Sequence, residues 1–230
     1  MLKTAIFATL AMFCLAHSGR SQAIPQGYDL PEKTLSPDQR YGVLVPQEGK
    51  AGDSSKNKLV EVRSGHVLGE IVGATGWDGR NHVSVLPARW SKNGGAVLWQ
   101  VDGKWGPISV VLVRIENGAI QGQTDLYREV VQAILSRTKA TRAKEDAEVK
   151  GRSSNFGSAY PDGFTIDIYA AGEEGDPLTF PLKIHADLTS DPKGISDKPL
   201  ASYLDGTVDK AGKFTVTDFQ LGAAADLRRW

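Results

Sequence analysis

Ala96-Val97-Leu98-Trp99-Gln100-Val101 and, a few residues on, Ile108-Ser109-Val110-Val111-Leu112-Val113-Arg114-Ile115 are the stretches that decide the fold. The first follows the turn Asn93-Gly94-Gly95 and runs into Asp102-Gly103; the second runs into Asn117-Gly118. Asn-Gly and Asp-Gly pairs tolerate the positive φ that tight hairpin connections require. Val110 to Val113 is an unbroken apolar run, which reads as a strand covered on both faces. A buried hairpin therefore predicts further layers on either side of it.

Working outward, the strand signals multiply. Arg40-Tyr41-Gly42-Val43-Leu44-Val45 is a short apolar run closed by Pro46, and 47–57 is a polar loop. Lys58-Leu59-Val60-Glu61-Val62 alternates, and Ser64-Gly65 turns into His66 to Val72. Residues 36–122 thus form one β unit, preceded by an extended lead-in at 24–35. One principal helix follows within 123–150, with Thr124 or Asp125 as its cap. Leu126, Val130 and Ile134 fall at i, i+4 and i+8, with Tyr127, Val131 and Leu135 as a second column. Its continuation is charged, with Arg137, Lys139, Arg142, Lys144 and Lys150 against Glu145, Asp146 and Glu148. Mixed signs of this kind describe a solvated helix face or a linker. From 151 to 222 the period returns to two: Phe164, Ile166 and Ile168 alternate with Thr165, Asp167 and Tyr169. Strands are expected at Leu178–Leu188 and Lys213–Phe219, with a Gly- and Pro-bearing segment between them and a tail at 223–230. The expected class is mainly β (α+β), built of antiparallel β-meander units with one principal helix.

The first 23 residues read as an address. Lys3 precedes an apolar run, Ala5 to Ala16, that spans about 18 Å as a helix, too short for a bilayer core of roughly 30 Å. Ser21-Gln22-Ala23 then offers a small-x-small cleavage pattern. The reading is a signal peptide at 1–23 and a periplasmic or secreted protein with no membrane span in the mature chain. Cys14, the single cysteine among 230 residues, lies inside this run. Its removal would exclude disulfides, thiolate metal sites and cysteine nucleophiles together. The chain holds 27 Lys+Arg and 27 Asp+Glu, and losing Lys3 and Arg20 would leave a formal charge of −2. That balance argues against a nucleic-acid partner, which a basic stripe would serve.

Two stretches are alike. Ser36-Pro37-Asp38-Gln39-Arg40-Tyr41-Gly42-Val43-Leu44-Val45 matches Ser91-Lys92-Asn93-Gly94-Gly95-Ala96-Val97-Leu98-Trp99-Gln100, and Leu59 to Gly65 matches Leu112 to Gly118. This pattern of turn, apolar strand, loop and apolar strand resembles blades of Tol-type and WD-repeat β-propellers over about residues 36–120. Two blades do not close a ring that needs at least four, so the resemblance implies packed meanders and not a closed propeller. As a whole the chain resembles uncharacterised secreted bacterial proteins, a likeness that implies no activity.

Four tryptophans, Trp77, Trp90, Trp99 and Trp105, fall in one segment with Asp78, Arg80, His82, Arg89 and Lys104. Aromatic faces flanked by hydrogen-bonding groups suit a glycan or peptide. Trp77, Asp78, Arg80, His82, Arg89, Lys104 and Trp105 are therefore the expected ligand-binding residues of a non-enzymatic module, its partner an unknown ligand or envelope protein. The competing reading is core, since a buried Trp contributes about 4–6 kcal/mol gross; Trp99, inside an apolar strand, belongs there. The alternative is a small exported hydrolase using His185 or His82 with a carboxylate; His185 and Asp187, which share a strand face with Lys183, are the candidates for its catalytic pair. The same row, opposite Leu182, Ile184, Ala186 and Leu188, also reads as an ordinary solvent face. A structural or accessory envelope role is the third reading. No histidine spacing for zinc, calcium loop, nucleophile elbow, phosphate loop or dinucleotide fingerprint is present, so no metal and no cofactor are expected.

Overall fold

The computed structural model describes residues 24–104, 106–138, 165–170, 172, 176–189 and 201–222. The expected signal peptide, the charged extension beyond Thr138, the boundary and turn at 151–163, the segment 190–199, the tail 223–230 and Trp105 lie outside the described residues.

The described residues form three antiparallel sheets and one α-helix, and no closed propeller. The first sheet runs in chain order through β1 (Tyr28–Asp29), β2 (Tyr41–Pro46), β3 (Lys58–Glu61) and β4 (His66–Glu70). The second holds β5 (Ser84–Val85), β6 (Arg89–Trp90), β7 (Ala96–Gly103), β8 (Gly106–Glu116) and β9 (Ala119–Asp125), with β5 and β6 both pairing to β7. After helix α1 (Leu126–Thr138) comes the third sheet, β10 (Thr165–Ala170), β11 (Leu182–Thr189), β12 (Ala201–Val208) and β13 (Phe214–Leu221). Each sheet is an up-and-down meander, as short connections between sequential strands favour.

The second sheet is the middle layer. Successive side chains on a strand point to opposite faces, and here both faces are apolar. Val97, Trp99, Val101, Val111 and Val113 pack on the first sheet, alongside Val43, Leu59 and Ile71. Ala96, Leu98, Val110 and Leu112 join α1 and the inner face of the third sheet, where Ile184, Ala186, Leu188 and Leu204 are buried. The continuous run Val110–Val113 is thus explained: all four are at most 1% exposed. Asp125 caps α1, its carboxylate accepting from the Arg128 N–H at 3.0 Å. Thr124 donates instead to the Gly212 carbonyl in the β12–β13 turn.

Several details differ from the sequence reading, among them the short strands β1, β5 and β6, which it did not expect. The strand expected to begin at Leu178 begins at Leu182; Leu178 forms a separate parallel bridge to Ser91. Strand β9 was not expected, because Ile120 is its one large apolar residue. Nor was β12, whose buried face carries Ser202, Leu204, Gly206 and Val208, so that two of four inward positions lack an apolar signal.

Candidate functional site

The three tryptophans among the described residues are buried. Trp99 is fully buried, Trp90 is 4% exposed and donates from Nε1 to the Thr34 carbonyl, and Trp77 is 6% exposed. Arg80 covers the Trp77 ring, its guanidinium carbon 4.2 Å from the centroid, and reaches Glu48 and Asp53 at 3.3 and 3.4 Å. Trp77 therefore offers no open platform to a ligand. Asp78 is exposed and serves through its backbone, which bridges to Gln47 and donates to the Pro46 carbonyl. His82 is exposed with φ of 60°, and Lys104 is exposed on the β7–β8 hairpin. Arg89 is half-buried, donates to the Ala170 carbonyl at 3.3 Å, and lines a cleft of about 420 Å³ with Asp176 and Lys183. Burial disfavours its charge, and Asp176 opposes that effect.

His185 is not on an open solvent face: it is 4% exposed. Register explains why. Tyr169 of β10 and Asp205 of β12 stand directly opposite it, and Asp187 and Tyr203 are paired next along the same face. Nδ1 lies 2.6 Å from Asp205 and Nε2 lies 3.2 Å from Asp187, with the Tyr169 and Tyr203 rings 6.2 and 5.9 Å away. Burial raises the Asp187 carboxyl above its ordinary range, His185 partly opposing, and burial raises Asp167 as well. Both ring nitrogens thus lie within hydrogen-bond distance of carboxylates of the chain itself. Lys183, on the same row, is exposed.

A larger concavity lies where the second and third sheets meet. It has a volume of about 700 Å³ and is walled by the turn 91–96, the end of β8, Gln121, the segment 178–180 and Lys210. The turn 91–96 is rigidly built. Ser91 Oγ donates to Asn93 and accepts the Ala96 N–H, both at 2.9 Å, while Asn93 Oδ1 accepts the Gly95 N–H. The Leu178 N–H donates to the Trp90 carbonyl, fixing the opposite wall to the same strand end. Leu178 is buried, Phe180 half-buried, and Lys92, Asn93, Thr179 and Lys210 are exposed.

Arg114 projects into this region from β8. Its partner across the ladder is Gly122, and a Cβ there would lie 2.4 Å from Nη2, so glycine leaves the seat on which the guanidinium rests. The buried Nε has no hydrogen-bond partner among the described residues. Sequence reasoning missed Arg114; the one signal was a lone cation inside Val113-Arg114-Ile115. The described residues contain no group of three His, Cys, Asp or Glu placed to hold a metal ion. Comparison with known proteins finds no matching family model, no matching curated protein and no matching solved structure.

Proposed function

We propose that this chain is an exported, non-enzymatic module that binds a glycan in the cleft between its second and third sheets. The observation that carries the reading is the lining. Asn93, Gln121 and Thr179 supply amide and hydroxyl groups around an apolar floor of Ala96, Ile115, Leu178 and Phe180. Such a pairing of apolar surface with a few orienting polar groups is what a sugar ring requires. The Trp-rich segment takes part through its turn at 91–96 rather than through its indole rings. Export rests on the address at 1–23. A hydrolytic role for His185 has less support, because both ring nitrogens meet carboxylates at 2.6 and 3.2 Å.

Calorimetric titration with galactose, galacturonate and chitin trisaccharides tests the reading. Saturable heat with at least one of them, lost in Thr179→Trp without a change in melting temperature, is the expected result. No saturable heat, or unchanged binding with the cleft filled, overturns it.

A further inference from the structure

We infer that the glycan is acidic and that its carboxylate pairs with Arg114; this rests on the reading of the cleft as a glycan site. Charge is the first argument. The cleft is lined by Arg114, Lys92 and Lys210 against a single acid, Glu116. None of these four forms an ion pair among the described residues. Lys92, Glu116 and Lys210 are exposed and solvated, so their lack of a partner is ordinary. Arg114 is different. It is half-buried rather than exposed, and buried polar atoms are nearly always hydrogen-bonded. Its Nε is closed to water yet unpartnered.

Geometry is the second argument. Gly122 beneath the guanidinium holds a space that a side chain would fill, since a Cβ there would lie 2.4 Å from Nη2. A planar guanidinium held in such a slot presents a fork that matches a carboxylate, whereas a neutral hydroxymethyl group gives it no charge to meet. Asn93 is the third argument. It occupies the place in its turn that Asp38 occupies in the earlier copy, so the wall keeps its hydrogen bonds without bringing a carboxylate of its own.

The test is a matched pair of probes, trigalacturonate and trigalactose, which differ by a carboxylate against a hydroxymethyl group on each ring. Trigalacturonate is expected to bind at least tenfold more tightly, with the advantage shrinking as salt rises. Arg114→Gln removes the advantage, and Arg114→Lys restores part of it. The exposed pair Lys92→Ala and Lys210→Ala, which leaves the buried residues untouched, lowers it further and stands in should Arg114→Gln fail to fold. Equal affinity for the two probes, both lost in Thr179→Trp, overturns the acidic assignment while the glycan reading stands. Binding of neither overturns both. Arg114-dependent binding of the tripeptide Glu-Glu-Glu in place of either sugar makes the partner an acidic peptide, which also contradicts the inference.

Discussion

The turns Ser36–Tyr41 and Ser91–Ala96 are wired alike, yet they sit in different company. In both, the serine hydroxyl accepts the N–H five residues on, at 2.9 Å, and donates to the acid or amide two residues on. In both, the fourth residue is left-handed, Gln39 at φ 56° and Gly94 at 67°. The turns also lie side by side, since a Cβ on Gly94 would be 3.6 Å from Asp38 Oδ1. Next to the first turn, exposed Arg40 pairs with Glu61 at 3.6 Å. The second is bridged to Leu178 and faces the cleft. Where the first carries an ionised Asp38, the second carries neutral Asn93. One local design thus leads into a strand at an exposed corner in one place and walls a cleft lined by Arg114, Lys92 and Lys210 in the other.

The largest effect expected is loss of the serines. Ser36→Ala leaves the buried Tyr41 N–H without an acceptor and costs about 1–3 kcal/mol, as does Ser91→Ala for Ala96. Chemical denaturation reads both, but only Ser91→Ala also weakens trigalacturonate binding; equal effects on binding would mean that the second turn is not a cleft wall. Next is Asn93→Asp. The turn tolerates it, as Asp38 shows, but a carboxylate now competes for the cleft's cations, and affinity for trigalacturonate falls about tenfold, roughly 1.4 kcal/mol. Unchanged affinity would separate the turn from the cleft's charge.

Acid distinguishes the two turns more gently. The Ser36 hydroxyl and the Arg40 N–H hold the Asp38 carboxyl below its ordinary range. Its contribution is present above the ordinary carboxylate value and is lost as pH falls through the depressed one. Asn93 does not titrate. Amide-exchange protection of Tyr41 is therefore expected to fall with acid while that of Ala96 holds. The third sheet behaves oppositely: Asp167 and Asp187 are raised by burial, so their contribution is complete in acid and is given up as pH climbs through the raised values. Parallel loss at Tyr41 and Ala96 would refute the assignment to Asp38. The smallest effect is Gln39→Gly. Left-handed geometry costs a side-chain-bearing residue about 1–2 kcal/mol, and the greater freedom of glycine when unfolded returns part of it. The net gain is up to about 1 kcal/mol in unfolding free energy, read by chemical denaturation, and a loss would show that the Gln39 side chain matters.

The layered core was legible where one face or both are filled with large apolar residues: β2, β3, β7, β8, α1 and β10 follow from period and turn chemistry. Strands β9 and β12 were not, because Gly122, Gly206 and Ser202 occupy positions where a pattern needs bulk, and neighbours supply the packing. The repeated serine turn was visible as a repeat, though the sharing of Asp38 and Asn93 roles required hydrogen bonds to see. His185 and Asp187 were visible as a pair on one strand. Asp205, which makes the shorter contact, enters through the register of β11 and β12, and no local spacing announces it. Arg114 was hidden for the same reason. Its seat is Gly122 on the next strand, its neighbour is Gly212 on another sheet, and the opposite wall is Leu178–Phe180.

A crystal structure of the protein with trigalacturonate examines the central claim most directly. The account predicts a galacturonate carboxylate within hydrogen-bond distance of the Arg114 guanidinium, with the sugar between the turn 91–96 and Phe180. An Arg114 paired with a carboxylate of the chain itself, and a cleft without sugar, would contradict it.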